Sequence, residues 1–346
     1  MTARPPPTEL LPWAQGVLAP RDLPLAATLT AVAGDASPRR YFRAELAGLS
    51  RILVEAPPGT EKNAEFLAVR ALLERARVRV PRLYAADLQR GYLLLEDLGD
   101  RLLLAELSAA TAAAEYARAM EVLARIAAID VGAAQLPAYD RALLEEELGR
   151  FPAWFVEELL GHALDDAERA LLRAVDALLV NSALEQPRVL VHRDFHSRNL
   201  MPQGDGALGV IDFQDAVCGP ITYDLVSLLR DCYIRWPADR VRDWALAHHR
   251  HLQEAGHLGS EVDAGRFLRW FDLMGLQRHI KVLGTFARLY LRDGKPGYLA
   301  DMPRVIDYVL EVATQYEAQE TALAAFVVWF RERLTPLVAR QDWGRS

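Results

Sequence analysis

Residues 189–224 read VLVHRDFHSRNLMPQGDGALGVIDFQDAVCGPITYD, two apolar runs that each end on polar, acid-bearing residues. Val189-Leu190-Val191 leads into His192, Arg193, Asp194, Phe195 and His196, and on to Asn199, while residues 208–211 lead into Asp212. Between them Pro202-Gln203-Gly204-Asp205-Gly206 is a turn signal. Leu200-Met201 and residues 208–211 are therefore expected to pair as a hairpin. Asn199 precedes the first arm and Asp212 follows the second, so a hairpin brings both to its open end, next to Asp194. An amide oxygen and a carboxylate so placed are hard donors suited to magnesium. A second carboxylate, Asp194, is suited to accept a proton from an attacking hydroxyl. Together these are the parts of a phosphoryl-transfer site.

The surrounding chain has the composition of an ordinary globular protein, with 346 residues, 51% hydrophobic and 25% charged. That length suits two lobes and a large core. With 40 basic and 47 acidic residues the net charge is −7, which disfavours a general nucleic-acid binder. Cys218 and Cys232 are the only cysteines, too few for a disulfide framework or a zinc site. No run has the length of a transmembrane helix, and the first eight residues are proline-rich without an apolar signal core. A cytoplasmic protein with no membrane or nucleic-acid partner is expected, and no protein partner is inferred.

In chain order, residues 10–18 suit a short helix. Residues 25–33, 41–46 and 51–56 read as strands, the first two flanking Gly34-Asp35-Ala36-Ser37-Pro38-Arg39-Arg40. A tight Gly/Ser loop between strands can aim backbone N–H groups at a phosphate; Ser37 adds a hydroxyl, and Arg39, Arg40 or Arg43 a charge. The same residues also suit an ordinary hairpin turn. Residues 63–75 have helical periodicity, and residues 78–84 and 91–95 read as two more strands. Residues 96–99 then lead out of a five-stranded sheet with one helix. Beyond this point helices are expected at 111–129, 141–160, 165–182, 223–234, 240–254, 264–292, 303–314 and 321–333. The expectation is an α+β chain with a strand-rich N-terminal lobe, residues 1–98, and a mainly helical C-terminal lobe, residues 99–346.

The spacings sharpen this reading. Asn199 lies five positions after Asp194 and Asp212 thirteen positions after Asn199, as in the protein-kinase catalytic loop and metal-binding Asp-Phe-Gly. His192-Arg193-Asp194, Asn199 and Asp212-Phe213-Gln214 thus resemble a two-lobed protein-kinase-like fold. His196, and Gln214 in place of glycine, resemble the aminoglycoside-phosphotransferase-like small-molecule kinases. Further stretches are similar to the anomeric N-acetylmuramate/N-acetylglucosamine kinases of bacterial peptidoglycan recycling. They are Gly34-Asp35-Ala36-Ser37 with Arg39 to Arg43, Val54 to Pro58, Leu94 to Gly99, and Gly275 to Gly284.

That resemblance implies ATP and Mg2+, and transfer of a phosphoryl group to the C1 hydroxyl of a free amino sugar. It implies Asp194 as base, Asn199 and Asp212 on magnesium, and ATP between the lobes. Gly34, Ser37, Arg43, Glu96 and Leu98 would lie on the nucleotide, with the adenine against residues 95–98. His196, Arg278 and Lys281 would be on the acceptor side. His192 and His196 also suit loop-fixing hydrogen bonds, and Asp224 a helix cap or first-turn acid, or a support for the catalytic loop. Along the helix at 277–292, Arg278, Lys281, Thr285, Arg288 and Arg292 form a stripe that reads either as a solvated basic face or as a contact for the lactyl carboxylate of N-acetylmuramate. The sequence departs from the kinase pattern in one respect: strand 51–56 has no lysine, and Glu55 sits there. Arg43, Arg51, Lys62 or the 34–40 loop would have to serve the phosphates. Other acceptors such as aminoglycosides or choline-like alcohols, a nucleotide-sensing pseudokinase, and a metallohydrolase on His192, Asp194 and His196 are the alternatives.

Overall fold

The computed structural model describes residues 4–18, 28–32, 39–46 and 48–344. The chain forms two compact units, one from the residues up to Ala105 together with Arg198–Asp215, the other from Glu106–Ser197 and the residues from Ala216 onward.

The first unit is built on an antiparallel sheet of β1 (Thr30–Val32), β2 (Arg40–Leu46), β3 (Leu49–Glu55), β4 (Leu83–Asp87) and β5 (Tyr92–Glu96), in the order β1-β2-β3-β5-β4. Alternation in β2 puts Phe42, Ala44 and Leu46 on one face, where they pack with Leu53, Tyr92, Leu94 and the helix residues Leu10 and Ala14. The helix Asn63–Arg75 buries Phe66, Val69 and Leu73 at helical spacing. Gly91 starts the last strand at φ +72, and a Cβ there would lie 2.0 Å from the Ala56 carbonyl oxygen, so only glycine permits the Ala56 N–H to Gly91 bond of 2.7 Å.

The strand expected at residues 78–84 forms later, at Leu83–Asp87. The Val78 N–H instead closes the preceding helix on Leu73 O, Arg79 bridges to Gly209, and Pro81 has no N–H to give a ladder. That bridge attaches the expected hairpin to this unit. β7 (Leu200–Pro202) and β8 (Leu208–Val210) pair antiparallel, with the Val210 N–H on Arg79 O at 2.8 Å.

The second unit is mainly helical. Its centre is the helix Ala264–Leu291, buried on all sides from Phe267 to Leu283 except at Arg269. The helix expected across residues 141–160 divides into Arg141–Leu148 and a wider turn at Phe151–Leu159, where Pro152 lacks an N–H. The helix expected at 223–234 stops at Leu229. Asp231 beyond it accepts N–H groups from Ser197 and Tyr233 instead of continuing the helix. A short sheet was not anticipated: β6 (Arg188–Val191) pairs with β9 (Val217–Pro220). Gly219 and Pro220 hid β9, since both are poor strand formers. The motif is therefore nested, with a two-stranded pair of the second unit bracketing a hairpin of the first. Among the described residues no helix is long and apolar enough to cross a membrane.

Gly284 sets how closely the central helix approaches its neighbour. A Cβ there would lie 2.3 Å from the Arg150 carbonyl carbon and 2.5 Å from Phe151 N. Since backbone cannot yield as a side-chain tip does, Gly284→Val should destabilise the protein by about 2–3 kcal/mol or more. A denaturant midpoint equal to the parent's would contradict this packing.

Candidate active site

In the second unit, β6 delivers His192, Arg193 and Asp194 at its end. Arg193 has φ +76, a left-handed conformation that for a non-glycine residue costs on the order of 1–3 kcal/mol. Asp224 holds it there. Its buried carboxylate accepts the His192 N–H at 2.6 Å and the Arg193 N–H at 3.0 Å, one on each oxygen. Burial pushes the Asp224 carboxyl up to about 7, against the pull of those two N–H groups. Asp224 is thus both a first-turn acid of its helix and a support for the loop; the cap position is Thr222. His192 is fully buried and its Nδ1 accepts the Asp194 N–H at 3.3 Å, the loop-fixing role expected of it. This bond and the Ser197 N–H on Asp231 at 3.0 Å brace both ends of the turn around Asp194.

Asp194 is partly exposed. Burial pushes its carboxyl up, but Lys281, His196, Arg278 and Arg193 outweigh that and hold it at about 2, below an ordinary 3.8. The His196 ring stands edge-on to Tyr233 at 5.4 Å. The solvated reading of the basic stripe fails at its first two positions, because Arg278 and Lys281 are 5% and 9% exposed. Arg278 Nε donates to Ser227 Oγ at 2.7 Å, and Lys281 Nζ donates to Tyr223 Oη at 3.0 Å. Both cations are turned inward because the helix that carries them is itself the core. Periodicity could not show this, since a helix buried all round has no solvent face to betray.

Sequence reading missed the acid that Lys281 shares with Arg193. Glu147 is fully buried at the end of the Arg141–Leu148 helix. Lys281 Nζ lies 3.1 Å from it, and Arg193 and the Tyr139 hydroxyl donate to it as well. Burial raises its carboxyl, and Lys281 and Arg193 bring it down to about 2.

In the first unit, the hairpin brings Asn199 and Asp212 together as the turn signal implied. Asn199 Nδ2 is 3.4 Å from Asp212 Oδ2, and the Ile211 N–H donates to Asn199 O at 3.1 Å. Asp212 also has a left-handed backbone, φ +64, and its Oδ1 accepts Gln214 Nε2 at 2.7 Å. An amide oxygen and a carboxylate at one hairpin end are a donor set that fits magnesium, which takes one or two protein oxygens and fills its shell with water and phosphate. The helix Asn63–Arg75 fixes this segment through Phe66, stacked on Phe213 at 4.9 Å, and through Lys62, 2.6 Å from Asp215.

The residues expected on the nucleotide fall in several places. Gly34 and Ser37 lie outside the described residues. The Arg43 guanidinium forks onto Asp97 and Asp100, both Nη2 bonds 2.9–3.0 Å, and these partners raise its pKa. Glu96 is held below the usual carboxylate range by Arg79, at 2.6 and 2.7 Å. Leu98 O accepts Gln203 Nε2 at 3.3 Å. Of the other cations considered for the missing lysine, Arg51 lies over the Tyr84 ring at 4.4 Å, while Lys62 is more than half exposed. No group of three or more His, Cys, Asp or Glu among the described residues could hold a metal ion, as the metallohydrolase reading requires.

Residues 28–261 match the model of a phosphotransferase enzyme family. N-acetylmuramate/N-acetylglucosamine kinase of Pseudomonas putida is 46% identical over 288 residues, 83% of this chain and 84% of that one. The Pseudomonas aeruginosa enzyme of the same name is 44% identical over 285 residues, 82% and 83% of the two chains. Among solved structures, an ADP-bound aminoglycoside phosphotransferase superposes with a TM-score of 0.58 at 14% identity, over 88% of this chain and 98% of that one. At that identity the likeness is one of fold, and the fold is the two-lobed kinase-like α+β type.

Two outcomes test the loop's supports. Asp224→Asn keeps the shape but sets an amide group against a backbone N–H, and should lower stability by about 1–3 kcal/mol; an unchanged denaturant midpoint would mean the loop is held otherwise. Asp194 and Glu147 have depressed folded-state values, so the stability they contribute is present above their ordinary values and lost as pH falls toward about 2. Acid unfolding should therefore steepen below about pH 4 and flatten in Asp194→Asn. An acid limb identical in that variant would contradict the assignment.

Proposed function

The chain belongs to the phosphotransferase enzyme family and, within it, to the N-acetylmuramate/N-acetylglucosamine kinases, and from that premise we propose that it phosphorylates these amino sugars at C1. Asp194 carries the reading. A carboxylate at the end of a strand, its backbone fixed by Asp224 and His192, is kept ionised by cations and partly open to solvent. With a carboxyl near 2 it is a weak base, which suits an acceptor hydroxyl that is itself acidic. The anomeric hydroxyl of a free sugar is a hemiacetal and more acidic than an ordinary alcohol. Asp194 then has mainly to orient that oxygen and take its proton as the bond to phosphorus forms.

ATP is the phosphoryl donor, and its γ-phosphoryl group passes to the sugar oxygen while the bond to the β-phosphate oxygen breaks. Asn199 and Asp212 would hold magnesium, which neutralises charge on the phosphates when bound. Gln214 fixes the carboxylate of Asp212 through its 2.7 Å hydrogen bond. The nucleotide side would include residues 34–37, Arg43, Glu96 and Leu98. The division at 98 and 99 into a nucleotide lobe and an acceptor lobe belongs to the same proposal, with the 200–210 hairpin serving the nucleotide. His196, Arg278 and Lys281 belong to the acceptor side. The cations around Asp194 disfavour polycationic aminoglycosides as acceptors and favour a sugar bearing a carboxylate. The sugar 1-phosphate so formed suits cell-wall recycling in the cytoplasm.

Phosphorus NMR of the products from Mg-ATP with a panel of amino sugars, aminoglycosides and amino alcohols tests this directly. A phosphate on C1 of N-acetylmuramate or N-acetylglucosamine is expected; transfer to another position, or to none of the panel, would overturn the reading. Arg278→Ala and Lys281→Ala should raise KM for N-acetylmuramate about tenfold while changing that for N-acetylglucosamine less. Equal changes for the two sugars would remove the carboxylate contact.

A further inference from the structure

We propose that Tyr233 is a specificity-determining residue whose ring walls the acceptor side of the base and stacks on the pyranose ring of the amino sugar. The inference rests on Asp194 being the base and on an amino sugar being the acceptor.

Between the end of the Tyr223–Leu229 helix and the start of the next at Ala238, residues 231–236 form neither helix nor strand. An irregular segment is ordinarily the least constrained part of a fold. This one is tied down on several sides. The buried Asp231 carboxylate takes the Ser197 hydroxyl and the Ser197 N–H, at 3.0 Å, on one oxygen, and the Tyr233 N–H, at 3.0 Å, on the other. From the helix Met302–Tyr316, Arg304 donates to Cys232 O at 2.6 Å, while Asp307 and Glu311 pair with Arg235 at 3.1 and 2.5 Å. The Trp236 indole N–H donates to the Tyr116 hydroxyl of the helix Ala112–Ala127 at 2.7 Å. Ordering so many side chains costs conformational entropy, and a loop held this firmly is what a preorganised binding wall requires.

Asp231 sets the segment against the catalytic turn. Ser197 follows His196, whose N–H donates to Asp194 O at 3.0 Å. One carboxylate therefore joins the turn that carries Asp194 to the chain that carries Tyr233. The rings meet as well, His196 and Tyr233 standing 5.4 Å apart at 79°. Asp194, His196 and Tyr233 are each partly open to solvent, whereas the residues that interleave with them, Phe195, Ser197, Asp231 and Cys232, are not all so: Phe195, Ser197, Asp231 and Cys232 are buried. An acceptor that reaches Asp194 from solvent in this unit thus has an imidazole and a phenol ring beside it.

A gluco-configured pyranose carries its substituents, apart from the anomeric hydroxyl, equatorially and its C–H bonds axially. Its two faces are therefore apolar and suit the face of an aromatic ring. N-acetylglucosamine and N-acetylmuramate share that ring and differ at the lactyl group, so stacking on Tyr233 serves both alike. Arg278 and Lys281, by contrast, are expected to act mainly on N-acetylmuramate.

Steady-state kinetics of the full chain with Mg-ATP and each sugar tests this. Tyr233→Ala should raise KM for both sugars by a similar factor of about ten, with KM for ATP within about twofold of the parent. Tyr233→Phe restores the ring and should bring both sugar KM values back to within about threefold of the parent. A merely structural tyrosine predicts lower stability or kcat with the sugar KM values unmoved. Sugar KM values in Tyr233→Ala less than about threefold above the parent's, or a KM for ATP that rises as much as theirs, would overturn the proposal. So would a change confined to one sugar, or a Tyr233→Phe variant as impaired as Tyr233→Ala. Should Tyr233→Ala fail to fold, Tyr233→Leu, bulky and apolar without a π face, is held to the same comparison; failure of both to fold would show a structural side chain and overturn the proposal too. A parent enzyme that phosphorylates no amino sugar, or an active Asp194→Ala variant, would sink the underlying reading. An active parent, an inactive Asp194→Ala and a Tyr233→Ala variant with the parent's sugar KM values would sink this inference alone.

Discussion

Two carboxylates, Asp194 and Glu147, are kept ionised in the second unit by a set of cations that they share. Removing a lone carboxylate from water favours its protonated form, and both acids feel that push. What reverses it is Lys281 and Arg193 acting on both, with His196 and Arg278 acting on Asp194 as well. Arg278 and Lys281 point inward from a helix that forms the core of the unit, so they are positioned by packing and not by choice among surface rotamers. The chemistry of the site is thus tied to the burial of the Ala264–Leu291 helix. Gly284, where the same helix meets the Arg150 backbone, sets how closely it packs.

Strain is placed where the motif turns. Arg193 and Asp212 both adopt left-handed backbone, one in each compact unit. In each case side-chain bonds hold what the backbone resists: Asp224 takes the N–H groups around Arg193, and Gln214 and Asn199 face the Asp212 carboxylate. Gln214, where protein kinases have glycine, then has a local reason, because its amide fixes the Asp212 carboxylate.

Much of this was legible in the sequence, and the failures have physical causes. The turn residues 202–206 and the apolar arms beside them announced the hairpin, and through it the meeting of Asn199 and Asp212. The helix Asn63–Arg75 was visible from its period alone. The strand expected at 78–84 failed because Pro81 forbids a ladder bond at its centre. β9 went unseen because Gly219 and Pro220 carry no strand signal, although Gly219 is needed where a Cβ would meet Tyr139 at 2.9 Å. Glu147 was missed for a different reason. In Glu145-Glu146-Glu147 three acids stand in a row; helical spacing from Leu144 puts Glu147 on the buried side, but only the long-range meeting with Arg193 and Lys281 supplies its partners.

With the nucleotide and its metal proposed to lie on Asn199 and Asp212 and the acceptor proton to pass to Asp194, binding and turnover should separate by residue. Calorimetric titration of Mg-ATP into Asp194→Asn and Asp212→Asn measures this most directly. Asp194→Asn should bind Mg-ATP within about threefold of the parent yet transfer no phosphate, whereas Asp212→Asn should bind about tenfold or more weakly. Equal loss of nucleotide binding in the two variants, or sugar phosphorylation by Asp194→Asn at the parent's rate, would contradict it.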